Sequence, residues 1–248
     1  TDTINDCFTV DVDTEFTIEA NPKTLTEEKL SSYISCGVNR LSIGLQSIHD
    51  NEQKILGRIH NFDDFLRTYN LAIDLGINNI NIDLMYGIPE QTMESFSKTL
   101  DSVTSLSPQH ISLYGLIIEE GTTFYNNRHD LELPSEDSEC DMYYLAAKML
   151  REKGYGHYEI SNYAREGFSC QHNLKYWHCE EYLGIGASAH SFINGKRFYY
   201  ERSIDNFING IPPINDGEGG DDTDEVGDEA TNDCVAGVLD ADTAEVNG

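Results

Sequence analysis

Arg40-Leu-Ser-Ile-Gly-Leu-Gln46 is the stretch that decides the fold: a short apolar strand-like run closing on a polar side chain. Three other runs are built in the same way, Glu15-Phe-Thr-Ile-Glu-Ala20, Ile80-Asn-Ile-Asp-Leu-Met85 and His110-Ile-Ser-Leu-Tyr-Gly115. Each holds a polar residue within or near its end: Gln46, Glu19, Asp83 and Ser112. Helix-like stretches lie between them. Regular strand–helix alternation implies a parallel sheet with right-handed crossovers. When such strands close into a barrel, their carboxyl ends converge on one mouth, where these folds keep their chemistry. The ladder of polar residues therefore reads as the wall of one site.

Working outward, Asn21-Pro22 turns the chain after the first run, and Thr24 or Thr26 caps the helix that follows. Leu25, Leu30, Tyr33 and Ile34 give that helix an apolar face, and Gly37 ends it. Helices are predicted over Asn51–Leu56, Asp63–Leu75, stopped by Gly76, and Thr92–Leu106. Four strand–helix units precede Gly121, fewer than a closed eight-stranded barrel needs. The fold is thus an open or partial barrel, or one lacking some strands. Beyond Gly121 a helix is predicted over Glu136–Lys153 with Ser135 as its cap, then a strand over Gly156–Ile160. Asn162–Tyr182 reads as a loop-rich block of aromatics, His and Cys, and Phe198–Phe207 as weakly structured.

A formal charge of −28 over 248 residues argues against nucleic acid, which needs a basic face, and against an anionic membrane surface. No apolar run approaches the roughly 20 residues of a membrane span, and the first residues are not a signal peptide. The 6 cysteines are thinly spread, which fits a reducing, cytoplasmic setting rather than a secreted disulfide scaffold. No Lys or Arg follows Arg202, and Asp216–Gly248 carries 12 acidic residues and no aromatic. Such a segment cannot bury enough apolar surface to offset its ordering entropy, so residues 215–248 are expected to be a disordered acidic tail.

The ladder has definite chemistry. An ionised Glu19 accepts two hydroxyl hydrogen bonds, as from a ribose. Gln46 both donates and accepts. Arg58, in Gly57-Arg-Ile-His60, can grip a carboxylate in bidentate fashion. With Asp83, these suit a ligand carrying a ribose and an amino-acid end.

The runs Glu15-x-x-x-Glu19-Ala-Asn-Pro22, Gly37-Val-Asn-Arg-Leu-Ser-Ile-Gly-Leu-Gln-Ser47, Gly57-Arg-Ile-His60 and Asn81-Ile-Asp-Leu-Met-Tyr-Gly-Ile-Pro-Glu-Gln-Thr92 resemble radical S-adenosylmethionine (SAM) proteins. The branch they resemble is that of oxygen-independent coproporphyrinogen oxidase and its heme-chaperone relatives. The likeness covers about residues 13–214 and continues through Ile111-Ser-Leu-Tyr-Gly-Leu-Ile-Ile-Glu-Glu-Gly-Thr122 and Tyr158-Glu-Ile-Ser-Asn-Tyr-Ala164. It implies a partial six-stranded barrel, here missing its first strand–helix units, with an α+β extension. It also implies that Glu19, Gln46, Arg58 and Asp83 contact SAM and that Ile117 lines the adenine side. The family's Cys-x-x-x-Cys-x-x-Cys loop, ligand set of a 4Fe–4S cluster, does not occur, nor does the Gly-rich stretch for the methionine end. Without thiolates no cluster is held. The expectation is a truncated chain, inert alone, with the acidic tail standing where a small C-terminal domain is expected.

Cys170-Gln-His172-Asn-Leu-Lys-Tyr-Trp177-His178-Cys179 admits three readings. Zinc on Cys170, His172, His178 and Cys179 suffers from spacing too tight for an ordinary tetrahedral site. A core reading packs Tyr176 and Trp177 and hydrogen-bonds the histidines. A heme reading makes His172 an axial ligand. His172-Asn-Leu-Lys-Tyr-Trp177 resembles the heme-chaperone branch and is lacking in the oxidase branch. Leu183-Gly-Ile-Gly-Ala-Ser-Ala-His190 is a small-residue run that permits close backbone approach, and its weak likeness to a nucleotide fingerprint lacks the third Gly. His190 reads as structural.

The expected organisation is a partial barrel over residues 1–120, a family-specific extension over 121–214, and the tail. The resemblance implies a heme chaperone that, at full length, binds a cluster, SAM and heme. It would pass heme to apo-proteins such as respiratory enzymes, with peripheral contact to membrane proteins and none to nucleic acid. The rivals are an oxygen-independent coproporphyrinogen III oxidase and an inactive fragment of either.

Overall fold

The computed structural model describes residues 2–216. Two compact units divide after Ser169. The first contains, in order, α1 (Asp2–Cys7), β1 (Thr17–Ala20), α2 (Glu27–Ser35), β2 (Arg40–Gln46), α3 (Asp50–Ile55), α4 (Phe62–Asp74) and β3 (Ile80–Tyr86). There follow α5 (Met93–Leu106), β4 (His110–Gly115), α6 (Thr123–Asn127), α7 (Glu136–Glu152), β5 (Gly156–His157) and β6 (Asn162–Ala164). The expected α/β architecture is present: one 6-stranded sheet in the order β1-β2-β3-β4-β6-β5. Its first four strands are parallel, while β6 runs antiparallel to β4 and to β5.

Local chemistry explains the element ends. Thr26, not Thr24, caps α2, accepting from the Lys29 amide, because Pro22–Thr24 is itself a turn of 3-10 helix. Asn61 with Asp64, and Thr92 with Ser95, form reciprocal capping boxes on α4 and α5. Gly37 and Gly76 leave α2 and α4 with φ of +96° and +91°, where a side chain is strained.

The helices cover one face of the sheet. Leu41, Ile43 and Leu45 of β2, Ile80, Ile82 and Leu84 of β3, and Ile111 and Leu113 of β4 all point there. Leu30, Phe65, Tyr69, Phe96, Leu100, Met142, Ala146 and Leu150 of the helices meet them, and those that share a helix fall four residues apart, on one helix face.

The strand predicted over Gly156–Ile160 ends at His157. The chain turns there because His157 stacks on Tyr163, ring centroids 4.3 Å apart, and β6 returns along β4. Within the block predicted to be loop-rich, Asn162–Ala164 is therefore strand and Gln171–Trp177 is helix.

The second unit holds α8 (Gln171–Trp177), β7 (His190–Ile193), β8 (Lys196–Tyr199), α9 (Ile204–Ile208) and β9 (Ile214–Asp216). The three strands make an antiparallel sheet, so the region predicted to be weakly structured after Phe198 is ordered. Asn194 and Gly195, at φ of +53° and +70°, form the tight turn between β7 and β8. Gly184 bears out the expected close approach: a Cβ there would lie 2.1 Å from the His190 carbonyl oxygen. Asn215 and Asp216 of the expected tail belong to β9, and the rest of it lies outside the described residues. Among the described residues no helix is long and apolar enough to cross a membrane.

Ile82 is fully buried at the centre of the helix-covered face. Ile82→Ala is expected to lose about 2–5 kcal/mol of stability, read from urea unfolding. A loss under about 1 kcal/mol would mean that the face is not packed as described.

Candidate functional site

Parallel sheets are usually apolar on both faces, because helices cover both. Here the face away from the helices is polar. It carries Glu19 on β1, Arg40, Ser42 and Gln46 on β2, Asn81 and Asp83 on β3, His110, Ser112 and Tyr114 on β4, and Asn162 on β6. Register sets these side by side: Glu19 beside Ser42, Ser42 beside Asn81, Asn81 beside His110, Asp83 beside Ser112, and Ser112 beside Asn162. Arg40, Ser42, Gln46, Asn81, His110, Ser112 and Asn162 are all buried.

Asp83 is the centre of the face. Ser42 Oγ donates to one carboxyl oxygen at 2.9 Å and Asn81 Nδ2 to the other at 2.6 Å. Loss of water raises the Asp83 pKa, while these donors and the Arg40 charge pull it down. Glu19 feels the same face. Its carboxyl is pushed up to about 7, by desolvation first and the Asp83 carboxylate second, with Arg40 opposing. Its side chain still reaches solvent, and water there moderates the shift. Burial first, and the Arg40 charge second, drive His110 well below the ordinary histidine range, so it is neutral. The Arg40 guanidinium serves both carboxylates as a counter-charge, and its buried Nε has no hydrogen-bond partner among the described residues.

Gln46 ends β2 at φ +67°, beside a register shift between Gly44 and Gln46. A left-handed non-glycine residue at a bulge is a strained, re-aimed position of the kind found at functional sites. A Cβ on Gly44 would lie 3.2 Å from Gln46 Nε2 and 3.5 Å from Asn21 Oδ1, so only glycine leaves that junction uncrowded. Arg58 Nη1 donates to the same Asn21 oxygen at 3.0 Å. Behind the junction, the buried Glu52 carboxylate accepts from Ser47 Oγ at 2.6 Å and from Gln91 Nε2 at 3.1 Å. It thereby ties the loop after β2 to the loop after β3.

Glu19 and Gln46 near the ends of β1 and β2, Arg58 in the loop beyond, and Asp83 in the middle of β3 thus share one face of the sheet and its rim. Ile117 is exposed and lies beyond β4, in a segment anchored where the Leu116 amide donates to the Tyr86 carbonyl. Sequence reasoning took the strand ends and missed the row beneath them, Arg40, Ser42, Asn81 and His110. The signal was there: polar and apolar residues alternate through β2, β3 and β4, which a sheet covered on both faces does not do.

In the second unit, His172 is exposed on α8, with Nε2 3.0 Å from the Tyr176 hydroxyl. Tyr176 meets Tyr182 edge to face at 4.5 Å, and Tyr182 lies near Phe192. Of the core reading, the hydrogen-bonded His172 and the packed Tyr176 are present, but Trp177 is exposed and no residue of α8 is buried. The zinc reading fails, because among the described residues no three His, Cys, Asp or Glu side chains are grouped to hold a metal ion. By the same measure the described residues do not fit a 4Fe–4S cluster; Cys7, Cys36, Cys140 and Cys179 are scattered, exposed thiols. The polar face does fit SAM by donor type: carboxylates for hydroxyls and cationic groups, an amide, and a guanidinium for a carboxylate.

The Glu19 shift has a sign that can be tested. Its folded pKa of about 7 lies above its ordinary 4.5, so the folded state prefers it protonated. That contribution is complete below pH 4.5 and is lost as pH rises through about 7. Glu19→Gln is expected to flatten the pH dependence of the urea midpoint across this window, leaving the part of the same sign due to Asp83. An unchanged slope would show that the carboxyl is not perturbed.

Comparison with known proteins places this geometry. A family profile for the radical SAM superfamily matches residues 4–103. The chain is 40% identical over 185 residues to "Heme chaperone HemW" of Bacillus subtilis, covering 74% of this chain and 49% of that protein. It is 42% identical over 178 residues to the Escherichia coli protein of the same name, covering 72% and 47%. It is also 41% identical over 180 residues to the mitochondrial "Radical S-adenosyl methionine domain-containing protein 1" of Bos taurus, covering 72% and 41%. The chain spans about half the length of the bacterial relatives it matches. Among solved structures, coproporphyrinogen III oxidase (HemN) from Escherichia coli, described as a radical SAM enzyme, aligns with TM-score 0.70 at 24% identity, over 82% of this chain and 50% of that one. That likeness shows the fold. Fold, motifs and relatives agree: the chain is a HemW-like radical SAM protein.

Proposed function

We propose that the protein is a heme chaperone that carries SAM at the strand ends and heme on the second unit. The observation that carries the reading is the polar face around Asp83, which gathers Glu19, Gln46 and Arg58 at one end of a parallel sheet. In this reading Glu19 accepts from the ribose hydroxyls, and Gln46 and Asp83 hold the polar groups of the nucleoside and amino-acid ends. Arg58 meets the carboxylate, and Ile117 lines the adenine side. The Glu19 and Asp83 carboxyls give that face acceptors for a ligand bearing hydroxyls and cationic groups. A 4Fe–4S cluster, held outside this chain's own residues in a longer protein, would supply electrons to bound SAM.

Heme is assigned to His172. Its exposure leaves room for a planar ligand, and Tyr176, Tyr182 and Phe192 offer aromatic faces in the same unit. Iron ligation through Nε2 would displace the Tyr176 hydroxyl. Delivery to apo-proteins such as respiratory enzymes, peripheral contact with membrane proteins, and a reducing cytoplasmic setting complete the proposal. The exposed thiols of Cys7, Cys36, Cys140 and Cys179 support that setting.

The test is a heme titration of the chain, followed by Soret absorption, with His172→Ala alongside. The expected result is a saturable shift in the wild type and at least about tenfold weaker binding in the variant, as for loss of an axial ligand. Equal affinity in the two proteins would remove His172 as the ligand. No saturable binding by the wild type would remove heme from this unit.

A further inference from the structure

The Tyr158-to-Ala164 motif has no role in the reading above, yet it contributes Asn162 to the polar face and touches that face again through Tyr158. Tyr158 OH lies 2.8 Å from His110 Nε2, and the two rings meet edge to face with centroids 5.6 Å apart. His110 Nδ1 lies 2.6 Å from Asn81 Oδ1, and Asn81 Nδ2 lies 2.6 Å from Asp83 Oδ1 and 2.8 Å from Ser42 Oγ. We propose that Tyr158, His110 and Asn81 form a one-way hydrogen-bond relay that fixes the carboxylate of Asp83 for its ligand, which makes His110 a positioning residue.

The direction follows from the donor inventory. An ionised Asp83 accepts only, so the Asn81 amide must turn its NH2 group toward it. The Asn81 carbonyl then faces His110 and Ser112, whose Oγ donates to it at 3.1 Å. Since that carbonyl only accepts, His110 must carry its proton on Nδ1. A neutral imidazole has a single N–H, so Nε2 presents a lone pair and Tyr158 OH donates to it. The same amide orientation sets Ser42, whose hydroxyl accepts from Asn81 and is left free to donate to Asp83 Oδ2. Both oxygens of Asp83 are therefore oriented through Asn81. With His110 fully buried, no water can substitute for it.

This role rests on the reading of Asp83 as a SAM-contacting residue, whereas the tautomer does not. The experiment has two arms on the 248-residue chain. In the first, two-dimensional nitrogen-15 spectra report the His110 ring at neutral pH, assigned by its loss in His110→Phe or by the Nε2 shift in Tyr158→Phe. The Nδ1–H tautomer, with Nε2 moving when Tyr158 loses its hydroxyl, is the expected result. An Nε2–H ring or an imidazolium would overturn the relay. In the second, SAM is titrated calorimetrically into wild type, His110→Phe and His110→Asn, with urea midpoints confirming that each is folded. Asparagine places an N–H near the Nδ1 position and keeps the bond to Asn81, while phenylalanine keeps only the shape. Affinity is expected to fall about tenfold in His110→Phe and to recover to within about threefold of wild type in His110→Asn, the scale of one or two net hydrogen bonds. Equal loss in both variants, or none in either, would overturn the positioning role. A folded wild type that takes no SAM would sink the ligand reading and this role with it, and the tautomer would still decide the relay.

Discussion

A carboxylate taken out of water must be solvated by protein or give up its charge. Asp83 imposes that constraint on the middle of this sheet, and its neighbours answer it. Ser42, Asn81 and Ser112 lie on three adjacent strands because parallel register brings them beside one another, and Arg40 supplies the counter-charge. Exchanging any of them for an apolar residue would leave a buried oxygen or proton without a partner, at a cost of about 1–3 kcal/mol. The same strands bury Ile43, Ile82 and Ile111 on their other side. One sheet thus does two jobs with a period of two: stability on one face, polar chemistry on the other.

Much of this was legible in the sequence. The four parallel strands announced themselves as apolar runs with helices between, and Gly37 and Gly76 marked helix ends because each takes a left-handed φ. Glu19, Gln46 and Asp83 were visible as polar residues within or near the ends of apolar runs. What was not legible depended on contacts between distant residues. Asn81 looks like a strand residue of no account until register sets it between Ser42 and His110. The Glu52 clamp needs a helix and two loops to converge before a buried glutamate makes sense.

Other misses were local, and the signals were present. Asn194-Gly195 is the strongest short hairpin signal in the chain, and it would have announced β7 and β8. For the aromatic block after Cys170, the core alternative rested on the usual burial of Tyr and Trp. No residue of its helix is buried, and His172 and Tyr176 pair along the surface instead.

The Glu52 clamp bears on motion at the strand ends. One carboxylate oxygen holds Ser47, which follows the strained Gln46, and also holds Gln91, whose own carbonyl oxygen accepts from the Ile88 amide. Neither loop can swing out without tearing hydrogen bonds from the other, so the two should open as a single cooperative unit. In hydrogen-exchange terms, the amides of His49 and Ile88 would share one opening free energy although 39 residues separate the partners that join their loops.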